Sequence, residues 1–245
     1  MNETSNTLLK YLKDFNNSYF IIGGQAAAIQ LAKIDLNFRV TKDYDIVLVS
    51  NSPEEGFYKM LLKLISDGKY ENNYVNGKKN AYRFELPKNP NFPTIIELFC
   101  EQGQYPESLN KRFAKLNLIE CEDKISAMVM NKEIYNFALS HKVVESGIAV
   151  LDTYGLIALK SFAYFENKKL REEGKVHKGD VEKHKNDIIT LVSSLLEGHK
   201  IDLPKVLEES MNDFYIMLKN GDFNQTLKSR HLDKDDIIER FHSLL

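Results

Sequence analysis

Cysteine is scarce in this 245-residue chain: only Cys100 and Cys121 occur, both in largely apolar surroundings. That excludes a disulfide framework, no CxxC is present, and a reducing compartment is the simple expectation. Proline and glycine are sparse, at 6 and 12 residues, and no flexible linker stands out. No internal repeat or low-complexity tract stands out either. Neither sign of charge dominates, since 33 Lys and Arg face 35 Asp and Glu for a formal net charge of -2. A globally basic nucleic-acid coat is therefore excluded, although a local basic patch is not. No run of about 18 apolar residues exists, so the expectation is a cytoplasmic protein without a transmembrane helix or a membrane partner. The opening MNETSNTLLKYLKDF is polar and mixed in charge, unlike the basic start and apolar run of a signal peptide. What the chain does have is 43% hydrophobic residues, enough to bury a substantial core over a length that suits one or two domains.

Two halves of different character follow from local pattern. Ser18 to Ile22 reads as a strand that breaks at Gly23-Gly24, and the Ala-rich Gln25 to Lys33 reads as a helix. Tyr44 to Val49 suits a buried strand, Pro53 opens a predicted helix through Ile65, and Ala81 to Leu86 and Thr94 to Cys100 read as two more strands. Lys88 to Pro93 is the turn between them. The apolar runs from Tyr105 to Val150 are short and fit either period. Beyond about residue 150 the pattern is helical. Asp152 or Thr153 caps a segment that stops at Gly174, Asp180 caps a second ending at Gly198, and Leu203 to Lys219 and Lys234 to Leu245 form two more. The predicted class is α+β, with a mixed-sheet core and flanking helices over 1–150 and a helical domain over 151–245.

Three features of the first half carry chemistry. Glycines between a strand and a helix let the backbone approach a ligand, and the free N–H groups of the helix offer an anion site; a tight turn alone would use the same residues. In RVTKDYDIVLV, Asp43 and Asp45 are two apart on a strand, so both side chains leave one face. Adjacent carboxylates repel unless a cation lies between them, and hard oxygen ligands suit Mg²⁺, which takes one or two carboxylates plus substrate phosphates. A solvated pair at a strand end is the alternative. Glu97 is the only charge in TIIELFC, and burying it calls for a cation or for an Arg or Lys partner. Glu85 is the weaker rival, because alternation in AYRFEL puts it on a polar face. Walker, Rossmann, HExxH and GxSxG motifs are absent, and His177 and His184 lack a second soft ligand at useful spacing.

The order of strand, GG, helix, acidic-pair strand and a later strand with one more acid resembles the nucleotidyltransferase superfamily related to DNA polymerase β. The stretch IIGGQAAAIQLAKIDLNFRVTKDYDIVLV more narrowly resembles the AbiEii-type toxin nucleotidyltransferases, as do LIALKSFAYF with Lys160 and KHKNDI with Lys185 and Asp187. The match covers roughly residues 18–50, 94–100 and 150–195. Gly24 is followed by Gln25 where the superfamily commonly has serine, which removes a hydroxyl from that corner. The resemblance implies a nucleotidyltransferase core whose active-site cleft the helical domain completes. It implies transfer of a nucleoside monophosphate from an NTP, with two Mg²⁺ or Mn²⁺ ions on Asp43, Asp45 and Glu97. Gly23, Gly24, Gln25, Arg39 and Thr41 would line the nucleotide's phosphates. Lys160 would balance β- and γ-phosphate charge, with Asp187 orienting it. It also implies a toxin or phage-defence setting, an antitoxin encoded nearby and RNA such as a tRNA end as acceptor. Lys33, Arg39 and Lys42, with Lys168, Lys169, Arg171 and Lys175, are the candidate cations for RNA. The Lys-rich stretch from Lys160 to Lys185 is broken by acids and also fits an ordinary solvated helix pair. A small-molecule, antibiotic-type nucleotidyltransferase and a catalytically silent nucleotide-binding member of the fold are the alternatives.

Overall fold

A computed structural model of the chain describes residues 3–39, 41–49, 54–75, 78–101, 113–116, 125–196 and 198–245. Pro53 and Cys121 lie outside the described residues, as do residues 105–112 and 117–124 of the segment 105–150. The chain divides into two compact units, Met1–Asp152 and Thr153–Leu245.

In chain order the first unit holds α1 (Glu3–Leu12), β1 (Tyr19–Ile22), α2 (Gly23–Ala32), β2 (Asp43–Leu48), α3 (Phe57–Gly68), β3 (Glu71–Val75), β4 (Lys78–Glu85), β5 (Ile95–Glu101), β6 (Phe113–Leu116), β7 (Ile125–Met130), α4 (Lys132–Ser140), β8 (Lys142–Glu145) and β9 (Ile148–Leu151). Among the described residues nine strands form one mixed sheet, in the order β3-β4-β5-β2-β1-β9-β8, with β7 pairing on β5 and β6 on β7. β1 runs antiparallel to β2 and sets Ile22 opposite Asp45. β2 runs parallel to β5 and sets Asp45 opposite Glu97. β4 runs antiparallel to the first half of β5 and sets Arg83 opposite Glu97.

Alternation decides the two faces of the sheet. Tyr44, Ile46 and Leu48 on β2 and Ile96, Leu98 and Cys100 on β5 are buried, while Asp43, Asp45, Ile95, Glu97 and Phe99 on the other face stay partly accessible. Tyr44, between the two aspartates, turns inward, and its hydroxyl bonds Ser5 Oγ at 2.8 Å and Thr4 Oγ1 at 3.1 Å on α1. Burial raises its pKa above the ordinary value, against the opposing effect of those two hydroxyls.

Several sequence expectations are corrected. The helix expected to open at Pro53 starts at Phe57, after Gly56 at φ 80°. The chain around residues 131–151, ambiguous in period, supplies α4 and the β8–β9 hairpin. That hairpin turns through Ser146 and Gly147 at φ 51° and 83°, the positive pair that a two-residue turn needs.

The second unit is helical throughout its regular structure: α5 (Thr153–Glu172), α6 (Lys178–Ser193), α7 (Lys205–Asn220), α8 (Asn224–Ser229) and α9 (Lys234–His242). Its core gathers aromatic rings, with Phe214 at 4.8 Å from Phe223, 5.4 Å from Phe241 and 5.6 Å from Tyr164 between centroids. Asp180 is not the N-cap of α6 but sits in its first turn and accepts from the backbone N–H of His177 at 3.1 Å, so the helix starts three residues earlier than its sequence suggests. It ends at Ser193 rather than at Gly198. Among the described residues no helix is long and apolar enough to cross a membrane.

Candidate active site

Gly23 leaves β1 with φ 71°, a conformation that side chains strain to adopt. Space excludes a side chain there as well: a Cβ on Gly23 would lie 2.1 Å from Asp45 Oδ2, and one on Gly24 2.7 Å from Thr41 Oγ1. The two glycines thus press the start of α2 directly onto the acidic strand and the residue that leads into it. The N-cap residue of α2 is Ile22, whose side chain makes no capping hydrogen bond. Gln25 is buried, and its Nε2 donates to the Thr41 carbonyl at 2.9 Å, which ties the 33–42 connection to the helix.

Beside this corner lies a cavity of about 520 Å³ whose lining includes Gln25, Ile29, Lys33, Phe38, Arg39 and Thr41. Arg39 is exposed and stands 5.3 Å from the centroid of the Phe38 ring. Lys33 is half exposed and pairs with Glu145 at 2.5 Å. Of the residues expected to line phosphates, Gln25, Arg39 and Thr41 therefore share one cavity, and Gly24 adjoins it through Thr41.

Across the sheet from Asp45 the acids meet an arginine that the sequence reading passed over. Arg83 donates from Nη1 to Glu97 Oε1 at 2.5 Å and from Nε to Glu85 Oε2 at 3.0 Å. The three side chains are 33%, 17% and 22% exposed, so the pairs are partly shielded from water. Burial works against the Arg83 charge, yet the hydrogen bonds and fields of Glu85 and Glu97 outweigh it and hold its pKa above the ordinary value. Glu97 has found the arginine partner that one sequence alternative required. The signal for Arg83 was present, since AYRFEL alternates Arg83 and Glu85 onto one face. What the pattern could not supply was the register that puts this face beside Glu97.

Asp43, Asp45 and Glu97 thus share one sheet face, with Asp45 and Glu97 in directly paired positions. Hard carboxylate oxygens on adjacent strands, beside a turn too close for any Cβ, are a donor set that fits a Mg²⁺-type ion. As they stand, no three His, Cys, Asp or Glu side chains among the described residues are gathered to enclose a metal ion.

Compared with protein-family models, curated proteins and solved structures, the chain matches none.

In the helical unit, Lys160 on α5 and Asp187 on α6 form a pair of their own. Lys160 Nζ donates to Asp187 Oδ2 at 2.7 Å, with side-chain exposures of 6% and 1%. Lys160 sits among buried Leu156, Ile157 and Tyr164, the apolar face expected from helical spacing. The basic stretch nearby is largely tied up locally: Lys169 pairs with Glu166 at 2.9 Å, Lys175 with Glu173 at 2.5 Å, and Lys185 with Glu182.

Proposed function

We propose that this chain is a divalent-cation-dependent nucleotidyltransferase of the AbiEii type, which moves a nucleoside monophosphate from an NTP to an acceptor and releases pyrophosphate. The observation that carries the proposal is the contact of Gly23 with Asp45. It packs a glycine turn, an acidic pair and, one strand over, Glu97 onto one side of the sheet. A solvated acidic pair at a strand end has no need of a glycine pressed against its carboxylate.

The chemistry asks for positioning and charge neutralisation more than for covalent help. Asp43 and Asp45 would hold the ions, with Glu97 completing the set or taking the acceptor's proton. Mg²⁺-type ions, when bound, supply charge neutralisation for the triphosphate and a more acidic acceptor hydroxyl. The backbone of Gly23 and Gly24 can approach phosphate oxygens closely, since neither carries a side chain to hold them off. Thr41 and Arg39 would meet the phosphates from the cavity side, Arg39 with the forked donor geometry that phosphate favours. An RNA acceptor such as a tRNA end, in a toxin or phage-defence setting with an antitoxin encoded nearby, extends the same proposal.

Transfer of label from each of the four NTPs in turn onto total RNA tests it. The expected result is Mg²⁺-dependent labelling with one or more NTPs, lost in Asp45→Asn while the melting temperature is preserved. Labelling that survives Asp45→Asn, or none with any NTP on RNA or small-molecule acceptors, overturns it.

A further inference from the structure

Glu97 is held between opposite influences. On the same face of the sheet the paired positions run Asp45 on β2, Glu97 on β5 and Arg83 on β4. Adjacent strands lie about 4.8 Å apart, so Glu97 has a like charge one strand away and an opposite charge one strand away on the other side. The Arg83 contact takes one of its oxygens, Oε1. Arg83 for its part is forked, with Nη1 on Glu97 and Nε on Glu85. If it releases Glu97 it is not stranded, because Glu85 retains it. A carboxylate with a resident cation on one side and a candidate cation site on the other cannot serve both equally.

We propose that Arg83 is a positioning residue, a latch that holds Glu97 as its counter-ion and yields it, onto Glu85, when a divalent cation binds at Asp43 and Asp45. The inference rests on the metal-site proposal above and adds how that site is regulated: the third acid can turn both its oxygens to the cation only when Arg83 gives it up. The fork distinguishes a latch from a mere nearby positive charge. A point charge lowers cation affinity by its field alone, whatever Glu85 does. A latch depends on Glu85, because the stability of the released position decides how readily Glu97 is freed.

Mn²⁺ binding, followed by the electron paramagnetic resonance of the free ion, tests this without any turnover. Arg83→Gln should bind Mn²⁺ roughly three- to tenfold more tightly than the wild type, the scale expected when a partly screened ion pair no longer competes. Glu85→Gln should bind about two- to fivefold more weakly, since Arg83 then has only Glu97 to hold. In the Arg83→Gln background the Glu85 substitution should have no further effect, because its influence passes through the arginine. Arg83→Met, which also removes the charge that competes for Glu97, should bind more tightly than the wild type as well, and it serves if Arg83→Gln does not fold. Unchanged or weaker binding in both Arg83 variants overturns the latch. An equal Glu85 effect in both backgrounds overturns it too, and leaves Arg83 as a point charge. If the wild type binds no Mn²⁺, or binds it as well in Asp45→Asn, the metal-site proposal itself fails and the latch falls with it.

Discussion

At Gly23 two separate constraints coincide, a positive φ and the carboxylate of Asp45 where a Cβ would stand. Alanine there must strain the backbone and also push Asp45 off its position. Gly23→Ala is therefore expected to cost about 1–3 kcal/mol, and a thermal melt reads the loss. Gly24→Ala meets the Thr41 hydroxyl instead, without the positive φ, and should cost less. An equal loss for both would show that the Asp45 contact is not what makes Gly23 necessary. The need for glycine at this turn was legible in the sequence, because a strand running straight into a helix demands an unusual backbone. The identity of the group it touches was not, because Asp45 arrives there through the pairing of β1 with β2. Arg83 illustrates the same limit. Its alternation with Glu85 is local, while its bond to Glu97 depends on where β4 docks.

Among the elements, α6 and the Lys160–Asp187 pair make opposite kinds of claim. Asp180 in the first turn of α6 is held below the ordinary carboxylate value: burial pulls it up, but the His177 N–H and Lys183 outweigh that. Because its folded pKa lies below the unfolded value of 3.8, its contribution is present above that pH and lost as the pH falls through the folded value. Asp180→Ala should lower stability by roughly 0.3–1 kcal/mol near neutrality and by little in strong acid, as chemical denaturation at two pH values can check. The pair on α5 and α6 is worth more to disrupt than to remove. Lys160→Ala leaves Asp187 charged and buried without this cation, an expected loss of about 3–5 kcal/mol in a urea titration. Replacing both residues by apolar ones of similar size, Lys160→Met with Asp187→Leu, should recover most of it. A double variant as unstable as the single would point to a further role for the aspartate's shape or bonds. Helical spacing was enough to place Lys160 on an apolar face. The β8–β9 hairpin was missed although Ser146-Gly147 is a turn signal, because strands of four residues carry too little period to stand out.

For the molecule as a whole, a net charge of -2 means that any affinity for RNA must come from local cations. Arg39 and Lys42 are exposed on the connection into the acidic strand, whereas Lys33 is engaged by Glu145. RNA binding is therefore expected at low salt, with affinity falling steeply as salt rises, and Arg39→Ala with Lys42→Ala should flatten that slope by about two counterions. No binding at low salt would move the acceptor from RNA to a small molecule. By itself the sequence determined the α+β class, the strands and helices around Gly23-Gly24, the single face shared by Asp43 and Asp45, and the passage to helices near residue 150. All of these are carried by neighbours within a few positions, through period, glycine and β-branching. Only the tertiary structure decided that Asp45 faces Gly23, that Glu97 stands opposite Asp45, and that Arg83 holds Glu97. Those are matters of strand order and register, made by residues 14 to 52 positions apart in the chain, and a local pattern leaves such pairings open.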